Sequence, residues 1–418
     1  MTRKEAFISP SCPSKTRAVK ISTFFTHWRG RMVLISARIA CPFTPRIILV
    51  SVLLRRRAHL TGLSIPLSIF LTYNFPVDSS ESQIPQFIIA GQLRRDFIIL
   101  PNGDTRIDVP GGNAVYAAAG LAVWEPNPPP GIVARVGNDY PREWLEKFAQ
   151  RGIDVRGVHV LAQPVDLRAF ISFLEIPPLL TEDPVSSFAK IGEPFPKGLI
   201  GYQYKSNTTD SRSRLNLTSL RQSDLIPDYL KASAAHVCPL DYLTHTLLPA
   251  VLRQAGFDLI TLDPSSGYMN SSFWDDLPSL ITGLTAFLPS EEEIRTLFHG
   301  RSSDLWEMAE AIAAYGCQIV VIKRGERGQL VFDAASRKRW EIPSYPVQSV
   351  DPTGAGDAYC GGFLAGYRKT SDPLLAALVG NISASLALQG HGPFYAMEAL
   401  PGLAHARLEA LRQLAREV

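Results

Sequence analysis

The fold predicted from this sequence depends mainly on one stretch, VDPTGAGDAY at residues 350–359. It begins as a strand end, breaks at a proline and enters a helix of small residues. The first N–H groups of a helix have no partner within it, and the helix dipole makes that end positive. Glycines let an anion approach the bare backbone. Gly354, Ala355 and Gly356 therefore predict a cradle for a phosphate or a developing oxyanion.

A carboxylate follows this cradle in the first helical turn. Asp357 is placed beside the anion, where it can take a proton from an attacking hydroxyl group. The alternative is a helix start whose aspartate only complements the helix dipole. The short motif leaves both interpretations open, and the surrounding sequence has to decide between them.

After about residue 222, apolar strands alternate with helices. We predict strands at 235–239, 259–263, 286–289 and 319–324, and helices near 241–255, 273–283, 291–298 and 303–315. This alternation predicts a doubly wound α/β fold, with a mostly parallel sheet covered by helices on both faces. Ligands of such sheets bind beyond the carboxyl ends of the strands, and Asp263 and Asp351 both follow predicted strands.

Residues 153–205 differ in character from the regions on either side. They predict strands at 158–161, 168–176 and 201–205, joined by loops rich in proline and glycine. No convincing helix separates these strands. The region therefore predicts a small β element beside the main sheet.

Composition excludes several classes of protein. The chain has 418 residues, 46% of them hydrophobic, and a net charge of +3, which is too small to indicate nucleic-acid binding. Its five cysteines are far apart and form no C-x-x-C pair, so we expect neither a disulfide scaffold nor a zinc site. We expect a cytoplasmic protein without a membrane partner.

The N-terminal region is unlike the rest of the chain. Residues 1–77 hold twelve lysines or arginines and a single acidic residue, Glu5. The apolar run at 47–54 is too short to span a bilayer. We predict that residues 1–83 form a basic, poorly ordered extension before a folded domain at 84–418. A mitochondrial transit peptide is the alternative.

The opening stretch also has an upstream counterpart. GGN at 111–113 and VGND at 136–139 precede it at a fitting separation, and Gly361-Gly362-Phe363 follows it. In these motifs, residues 85–400 resemble the ribokinase-like (PfkB) family of sugar and nucleoside kinases. The resemblance implies a small β lid, contributed by about 92–110 and 153–205.

The resemblance also implies a mechanism. Asp357 would deprotonate a hydroxyl of the acceptor, which then attacks the γ-phosphoryl group of ATP, while Gly354, Ala355 and Gly356 hold the transferred group. The sequence contains no G-x-x-x-x-G-K-[ST] phosphate loop. The implied cofactors are ATP and Mg²⁺, with K⁺ as a further possibility, and the implied assembly is a homodimer through the lid.

Further residues take roles by resemblance alone. Those on the acceptor side are Asp96, Gly111, Gly112 and Asn113. Those beside the nucleotide are Lys323, Gly325, Gly328 and Asn381. Those near ions are Glu293, for indirect contact with magnesium, and Asp351 and Thr353, for a monovalent cation.

Two positions depart from the family pattern. Ser290 stands where the family often has asparagine before the acidic position Glu293, and Tyr116 stands where many members have an asparagine that faces the acceptor. These departures keep two alternatives open. One is a catalytically weak relative that binds ligand as a sensor or scaffold, and the other is a different acceptor, such as a vitamin alcohol.

Overall fold

The computed structural model describes residues 84–174, 183–203, 210–400 and 402–418, together with the backbone of three earlier strands. The chain divides into two units, Met1–Asp78 and Ser79–Val418. The strands of the first unit form an antiparallel sheet: β1 (Ile21–Phe25), β2 (Leu34–Ile39) and β3 (Ile48–Leu53). Most of residues 1–83 lie outside the described part, so the extension predicted there stays a prediction.

The second unit contains thirteen strands in its described residues. They are β4 (Phe87–Ala90), β5 (Arg94–Ile99), β6 (Thr105–Gly111), β7 (Gly131–Val136), β8 (Asp154–Val160), β9 (Arg168–Ser172), β10 (Ala234–Val237), β11 (Leu259–Leu262), β12 (Ala286–Phe287), β13 (Ile319–Lys323), β14 (Gln329–Asp333), β15 (Arg339–Ile342) and β16 (Arg416–Glu417).

Ten of these strands form one sheet. Its order is β16-β15-β14-β13-β12-β11-β10-β4-β7-β8. Neighbours from β13 to β8 are parallel, and the pairs from β13 to β16 are antiparallel. The central strands β4, β10 and β11 are buried along their whole length, as expected when helices cover both faces. The predicted fold class is confirmed.

Ten α-helices accompany these strands in the described residues of the unit. They are α1 (Asn113–Ala122), α2 (Arg142–Gln150), α3 (Pro184–Ile191), α4 (Tyr242–Gln254), α5 (Leu277–Ile281), α6 (Glu291–Leu297), α7 (Leu305–Ala313), α8 (Ala355–Thr370), α9 (Pro373–Ala387) and α10 (Leu403–Arg412). Helices α4 to α7 pack in one apolar core, and α1, α2, α8, α9 and α10 contribute to two others. None of the described helices is long and apolar enough to cross a membrane.

A separate three-stranded sheet, the small sheet, has the order β6-β5-β9. Strand β5 pairs antiparallel with β6 and parallel with β9. On one face of β5, the outer face, Phe97 and Ile99 pack with Phe170, Phe188 and Leu199. The opposite, inner face therefore carries Arg94, Asp96 and Ile98, since side chains alternate along a strand.

The structure corrects the prediction for residues 153–205 at three points. Residues 154–160 form β8, which pairs in parallel with β7 in the large sheet, so they lie outside the small sheet. A helix, α3, lies in the region where we expected none. Asp183 caps its start by accepting the N–H of Ser186, and Gly192, at φ 73°, ends it. The third point concerns the strand expected at 201–205. Residues 201–203 are not in a strand, so the prediction is wrong for them.

Candidate active site

Helix α8 is preceded by its N-cap residue, Gly354, which adopts the left-handed conformation at φ 72°. A side chain has no room there, because a Cβ on Gly354 would lie 2.1 Å from Cγ of Tyr116. Glycine is therefore required both by the backbone angle and by the ring that packs against it. Tyr116, which departs from the family pattern, thus forms a wall directly behind the predicted cradle.

The backbone of the cradle offers free donors. The N–H groups of Gly354, Gly356 and Asp357 donate to no acceptor among the described residues, whereas that of Ala355 reaches the carbonyl of Pro352 at 3.3 Å. These donors lie at the positive end of a helix of 16 residues. Their placement fits an anion cradle, in which Ala355 takes a smaller part than its neighbours.

Two alanine substitutions test whether folding requires glycine at both positions of the cradle or only at Gly354. Gly354→Ala is expected to lower the free energy of unfolding by about 2–4 kcal/mol, since it adds left-handed strain and overpacks Tyr116. Gly356→Ala is the matched control, because its Cβ would meet nothing nearer than Nζ of Lys323 at 3.9 Å. Urea unfolding of both variants measures the difference, and equal stability of the two would contradict this account.

Asp357 lies in the first turn of α8 and is half-buried. Burial, with the nearby charges of Asp96 and Glu293, raises the pKa of its carboxyl group to about 6, although the positive charges of Lys323 and Arg94 oppose the rise. At neutral pH the group is therefore mostly ionised, yet it is basic enough to accept a proton.

A buried ion pair lies close to the cradle. Nζ of Lys323, at the end of β13, lies 2.5 Å from Oδ2 of Asp263, which follows β11. The thiol of Cys360 on α8 lies 3.6 Å from that Nζ and 3.4 Å from the same Oδ2. Burial lowers the pKa of Lys323, but the charges of Asp263 and Glu293 outweigh this and raise it. Lys323 therefore carries a positive charge next to Gly356.

Ser290 and Glu293 bond to each other at the start of α6. The Ser290 N–H and hydroxyl groups both donate to Oε2 of Glu293, at 2.8 and 2.7 Å, and the Glu293 N–H group donates back at 3.2 Å. This capping box gives Ser290 a structural role. Burial, with the charge of Asp263, raises the pKa of Glu293 to about 7.

The predicted indirect magnesium contact at Glu293 stays a prediction. No group of three or more potential metal-ligating side chains occurs in the part of the chain that the structure describes. Mg²⁺ at kinase sites is usually held by one or two carboxylates together with substrate phosphates and water. A single half-buried carboxylate fits that arrangement.

The loop after Lys323 turns at two glycines with positive φ, Gly325 at 57° and Gly328 at 81°. Beside it, sequence reasoning missed a cluster around Glu291, which accepts from Arg327 at 2.7 Å and from Arg324 at 3.2 Å. The Glu291 carboxylate is buried, which raises its pKa, but the hydrogen bond from Arg295, together with Arg324 and Arg327, outweighs burial and lowers it. The cluster holds the loop against the start of α6.

Asn381, predicted to lie beside the nucleotide, is buried in α9. Its amide donates to Oε1 of Gln329 and to the carbonyl of Pro343, at 2.8 and 2.9 Å, and its oxygen accepts the N–H of Tyr345 at 2.9 Å. The side chain therefore ties the segment after β15 to α9. A contact with nucleotide stays a prediction.

The GGN turn brings the predicted acceptor residues together. A Cβ on Gly111 would lie 1.7 Å from Oδ2 of Asp96, and one on Gly112 would lie 2.4 Å from the carbonyl of Gln92. Asn113 accepts the N–H of Gln92 at 2.7 Å and donates to the carbonyl of Pro239 at 2.8 Å. The two glycines therefore allow the close approach, and Asn113 fixes the loops after β4 and β10.

Asp96 has spare capacity for hydrogen bonding. Its side chain is only 2% exposed, and its Oδ1 has no partner among the described residues. Burial raises its pKa to about 6. Because buried polar atoms are normally paired, the free oxygen suits a hydroxyl group supplied by a ligand.

Asp351 and Thr353, predicted to contact a monovalent cation, are both buried. Asp351 accepts the N–H of Thr353 at 3.0 Å, and its other oxygen lies 3.5 Å from Nδ1 of His391. The hydroxyl of Thr353 has no partner among the described residues. Two oxygen-bearing side chains are thus in place, and the cation stays a prediction.

Comparison with known proteins agrees with this geometry. A model of the pfkB family, described as carbohydrate kinases, matches residues 220–400, which include both the Lys323 loop and the cradle. Residues 220–400 therefore form a carbohydrate kinase domain of the pfkB type.

Curated relatives of this pfkB kinase span most of its folded unit. A cytidine kinase from Thermococcus kodakarensis is 27% identical over 285 residues, covering 68% of this chain and 88% of the relative. A fructokinase from Klebsiella pneumoniae is 26% identical over 325 residues, covering 72% of this chain and 92% of the relative.

Solved structures show the same fold. A ribokinase II from E. coli in complex with ATP and Mg²⁺ matches with a TM-score of 0.56 at 19% identity, covering 78% of this chain and 99% of its own. A nucleoside kinase from Burkholderia thailandensis in complex with inosine matches with a TM-score of 0.53 at 18% identity. The match covers 78% of this chain and 98% of the nucleoside kinase.

Proposed function

We propose that this kinase transfers the γ-phosphoryl group of ATP to a hydroxyl of a sugar, sugar acid or nucleoside. One observation carries the proposal. A half-buried carboxyl group with a pKa of about 6, that of Asp357, directly follows the free N–H groups of Gly354 and Gly356. A proton acceptor and donors for the transferred group thus occupy one helical turn.

Each part of this turn has a separate task. The carboxylate of Asp357 takes the proton of the acceptor hydroxyl as that oxygen attacks phosphorus. The N–H groups at the start of α8 stabilise the negative charge on the phosphoryl oxygens. Lys323, held by Asp263, adds a positive charge next to the same turn. Phosphoryl transfer depends mainly on such positioning and electrostatics.

Kinases of this family use ATP, which supplies the phosphoryl group when it is bound. We assign its binding to the segment from Lys323 to Gly328 and to Asn381, and an indirect magnesium contact to Glu293. Asp351 and Thr353 are the proposed contacts for K⁺. Because the pKa of Glu293 is raised to about 7, a bound divalent cation would also favour its ionised form.

The acceptor is proposed to meet Asp96, Gly111, Gly112 and Asn113, under the small sheet acting as a lid. The free Oδ1 of Asp96 supports this assignment. The names of the relatives, a cytidine kinase and a fructokinase, support a sugar or nucleoside alcohol. A homodimer through the lid and a cytoplasmic location complete the proposal, with mitochondria as the alternative location.

Incubation of the purified protein with ATP, Mg²⁺ and a panel of acceptors tests the function. The panel contains ribose, fructose, a sugar acid and several nucleosides, and formation of ADP is measured against a reaction without acceptor. We expect ADP to form faster with at least one acceptor, together with its phosphate ester. Acceptor-independent hydrolysis of ATP alone would count against the proposal.

The activity should fall at acid pH. Because only ionised Asp357 accepts a proton, kcat/KM is expected to drop about tenfold per pH unit well below pH 6. The positive charges of Lys323 and Arg94 lower the pKa of Asp357 and so keep this limb at lower pH. In Arg94→Ala the limb should move to higher pH.

Arg95→Ala is the matched control for this pH profile. Arg95 is the next residue of β5, lies on the outer face of the small sheet and pairs with Asp108 at 2.7 Å. A pH–rate profile that is unchanged in Arg94→Ala, or equally shifted in both variants, would argue against Asp357 as the base.

A further inference from the structure

A cavity of about 230 Å³ lies against the inner face of the small sheet. Ile98 and Arg106 line one side, and Tyr116 and Asp351 line another. The loop that contains Phe394 and Tyr395 completes the wall. The predicted site residues Tyr116 and Asp351 therefore belong to this cavity as well as to the cradle region.

The strand register connects this cavity to Asp96. Ile98 lies opposite Arg106 in the pair of β5 and β6, and Asp96 lies opposite Val109, which also lines the cavity. Paired residues on neighbouring strands share a face, and Asp96 and Ile98 share the inner face of β5. The carboxylate that we assign to the acceptor hydroxyl groups thus lies on the same face of the small sheet as the cavity lining.

The lining of the cavity is mainly aromatic and aliphatic. Tyr116, Phe394 and Tyr395 contribute rings, and Ile98 and Val109 contribute aliphatic groups. Such a surface suits a flat ring, since aromatic side chains stack on any nucleobase. A bare sugar, which presents hydroxyl groups in all directions, would leave most of them unpaired against these walls.

One charged donor faces this lining without a partner. Arg106 is half-buried, and it makes no hydrogen bond or ion pair with any residue in the described ranges. The cavity's other guanidinium group, that of Arg151, pairs with Glu398 and lies 5.8 Å from the centre of the Phe394 ring. Arg106 is therefore the arginine that remains available to a ligand.

We propose that this cavity holds the base of a nucleoside acceptor, with Arg106 donating to a carbonyl oxygen or ring nitrogen of that base. The sugar of the nucleoside then lies at Asp96 and the GGN turn, with its reactive hydroxyl toward Asp357. Cavities for drug-sized ligands measure about 300–1,000 Å³, and this cavity is smaller. Its volume therefore fits one small ring system. This inference rests on the proposed kinase function and selects one acceptor class within it.

The test compares matched acceptors. The wild-type protein is assayed with cytidine, uridine, adenosine and inosine against ribose and fructose. We expect kcat/KM for at least one nucleoside to exceed that for ribose by about tenfold or more, the effect of one charge-assisted hydrogen bond. Arg106→Ala should lower kcat/KM for that nucleoside about 10–100-fold, mainly through KM, and leave the activity on ribose within about twofold.

Arg95→Ala serves as the control, since it removes a guanidinium group from the outer face of the same sheet. Calorimetric titration of the nucleoside into Asp357→Asn provides a readout without turnover, and Arg106→Ala in that background should weaken binding by a similar factor. Preference for ribose or fructose over every nucleoside would overturn this inference and leave the kinase function standing. Equal losses in Arg106→Ala and Arg95→Ala would also overturn it, whereas absence of acceptor-dependent ADP would reject the kinase function itself.

Discussion

Asp357→Asn is expected to reduce acceptor-dependent formation of ADP about 10²–10⁴-fold in kcat. Asparagine has nearly the same shape but cannot take up the proton of the attacking hydroxyl. The cradle N–H groups and the Lys323–Asp263 pair remain in place, so binding of ATP should change little. Steady-state kinetics with the best acceptor and titration of ATP measure these two effects separately.

The control for this substitution is Asp258→Asn. Asp258 is 65% exposed, pairs with Arg368, and precedes β11, so it lies at the opposite end of that strand from Asp263. Its replacement should leave kcat unchanged. If Asp357→Asn kept more than about a tenth of wild-type kcat, the role of base would have to pass to another residue, since general-base catalysis normally contributes far more than tenfold.

Asp263→Ala is expected to lower the free energy of unfolding by about 3–5 kcal/mol, the usual cost of breaking a buried ion pair by removing one partner. The substitution leaves the ammonium group of Lys323 buried without its carboxylate, from which it is separated by 2.5 Å. Cys360 and Glu293 compensate only in part, because a neutral thiol and a carboxyl group with a pKa of about 7 are weak partners. Equilibrium unfolding in urea measures the loss.

A double variant shows whether the unpaired charge is the cause. Asp263→Leu with Lys323→Met replaces the pair by apolar side chains of similar volume, and such replacements are often neutral or stabilising. It should therefore recover most of the stability lost in Asp263→Ala. Phosphoryl transfer should nevertheless fall in the double variant, because the positive charge of Lys323 beside Gly356 is gone. Failure to recover stability would show that packing, rather than charge, makes Asp263 necessary.

The local parts of the site were predictable from the sequence. The cradle before Asp357 and the GGN turn are short segments whose residue types determine their backbone shape. The glycines at 111, 112 and 354 are required by close approach of Asp96, Gln92 and Tyr116, respectively. The alternating strands and helices likewise indicated the parallel sheet and its helical layers.

The long-range parts could not be predicted in this way. Asp263 and Lys323 lie 60 residues apart, and only the assembled sheet brings their side chains together. A register shift between Asp96 and Ile98 determines which residues of β6 lie opposite them on the inner face of the small sheet. No residue pattern in the sequence predicted this shift. Helix α3 was missed because proline- and glycine-rich flanks suggested a loop, although Asp183 and Gly192 are also good helix ends.

The contact between Tyr116 and Gly354 has a consequence for engineering this kinase. The ring of Tyr116 fills the volume that a Cβ on Gly354 would need, so neither position can be redesigned alone. Exchanging Tyr116 for a smaller residue such as asparagine would leave a gap behind the first turn of α8. We therefore expect a substitution at Tyr116 to alter the packing around Gly354, so libraries that aim to change the acceptor should vary both positions together.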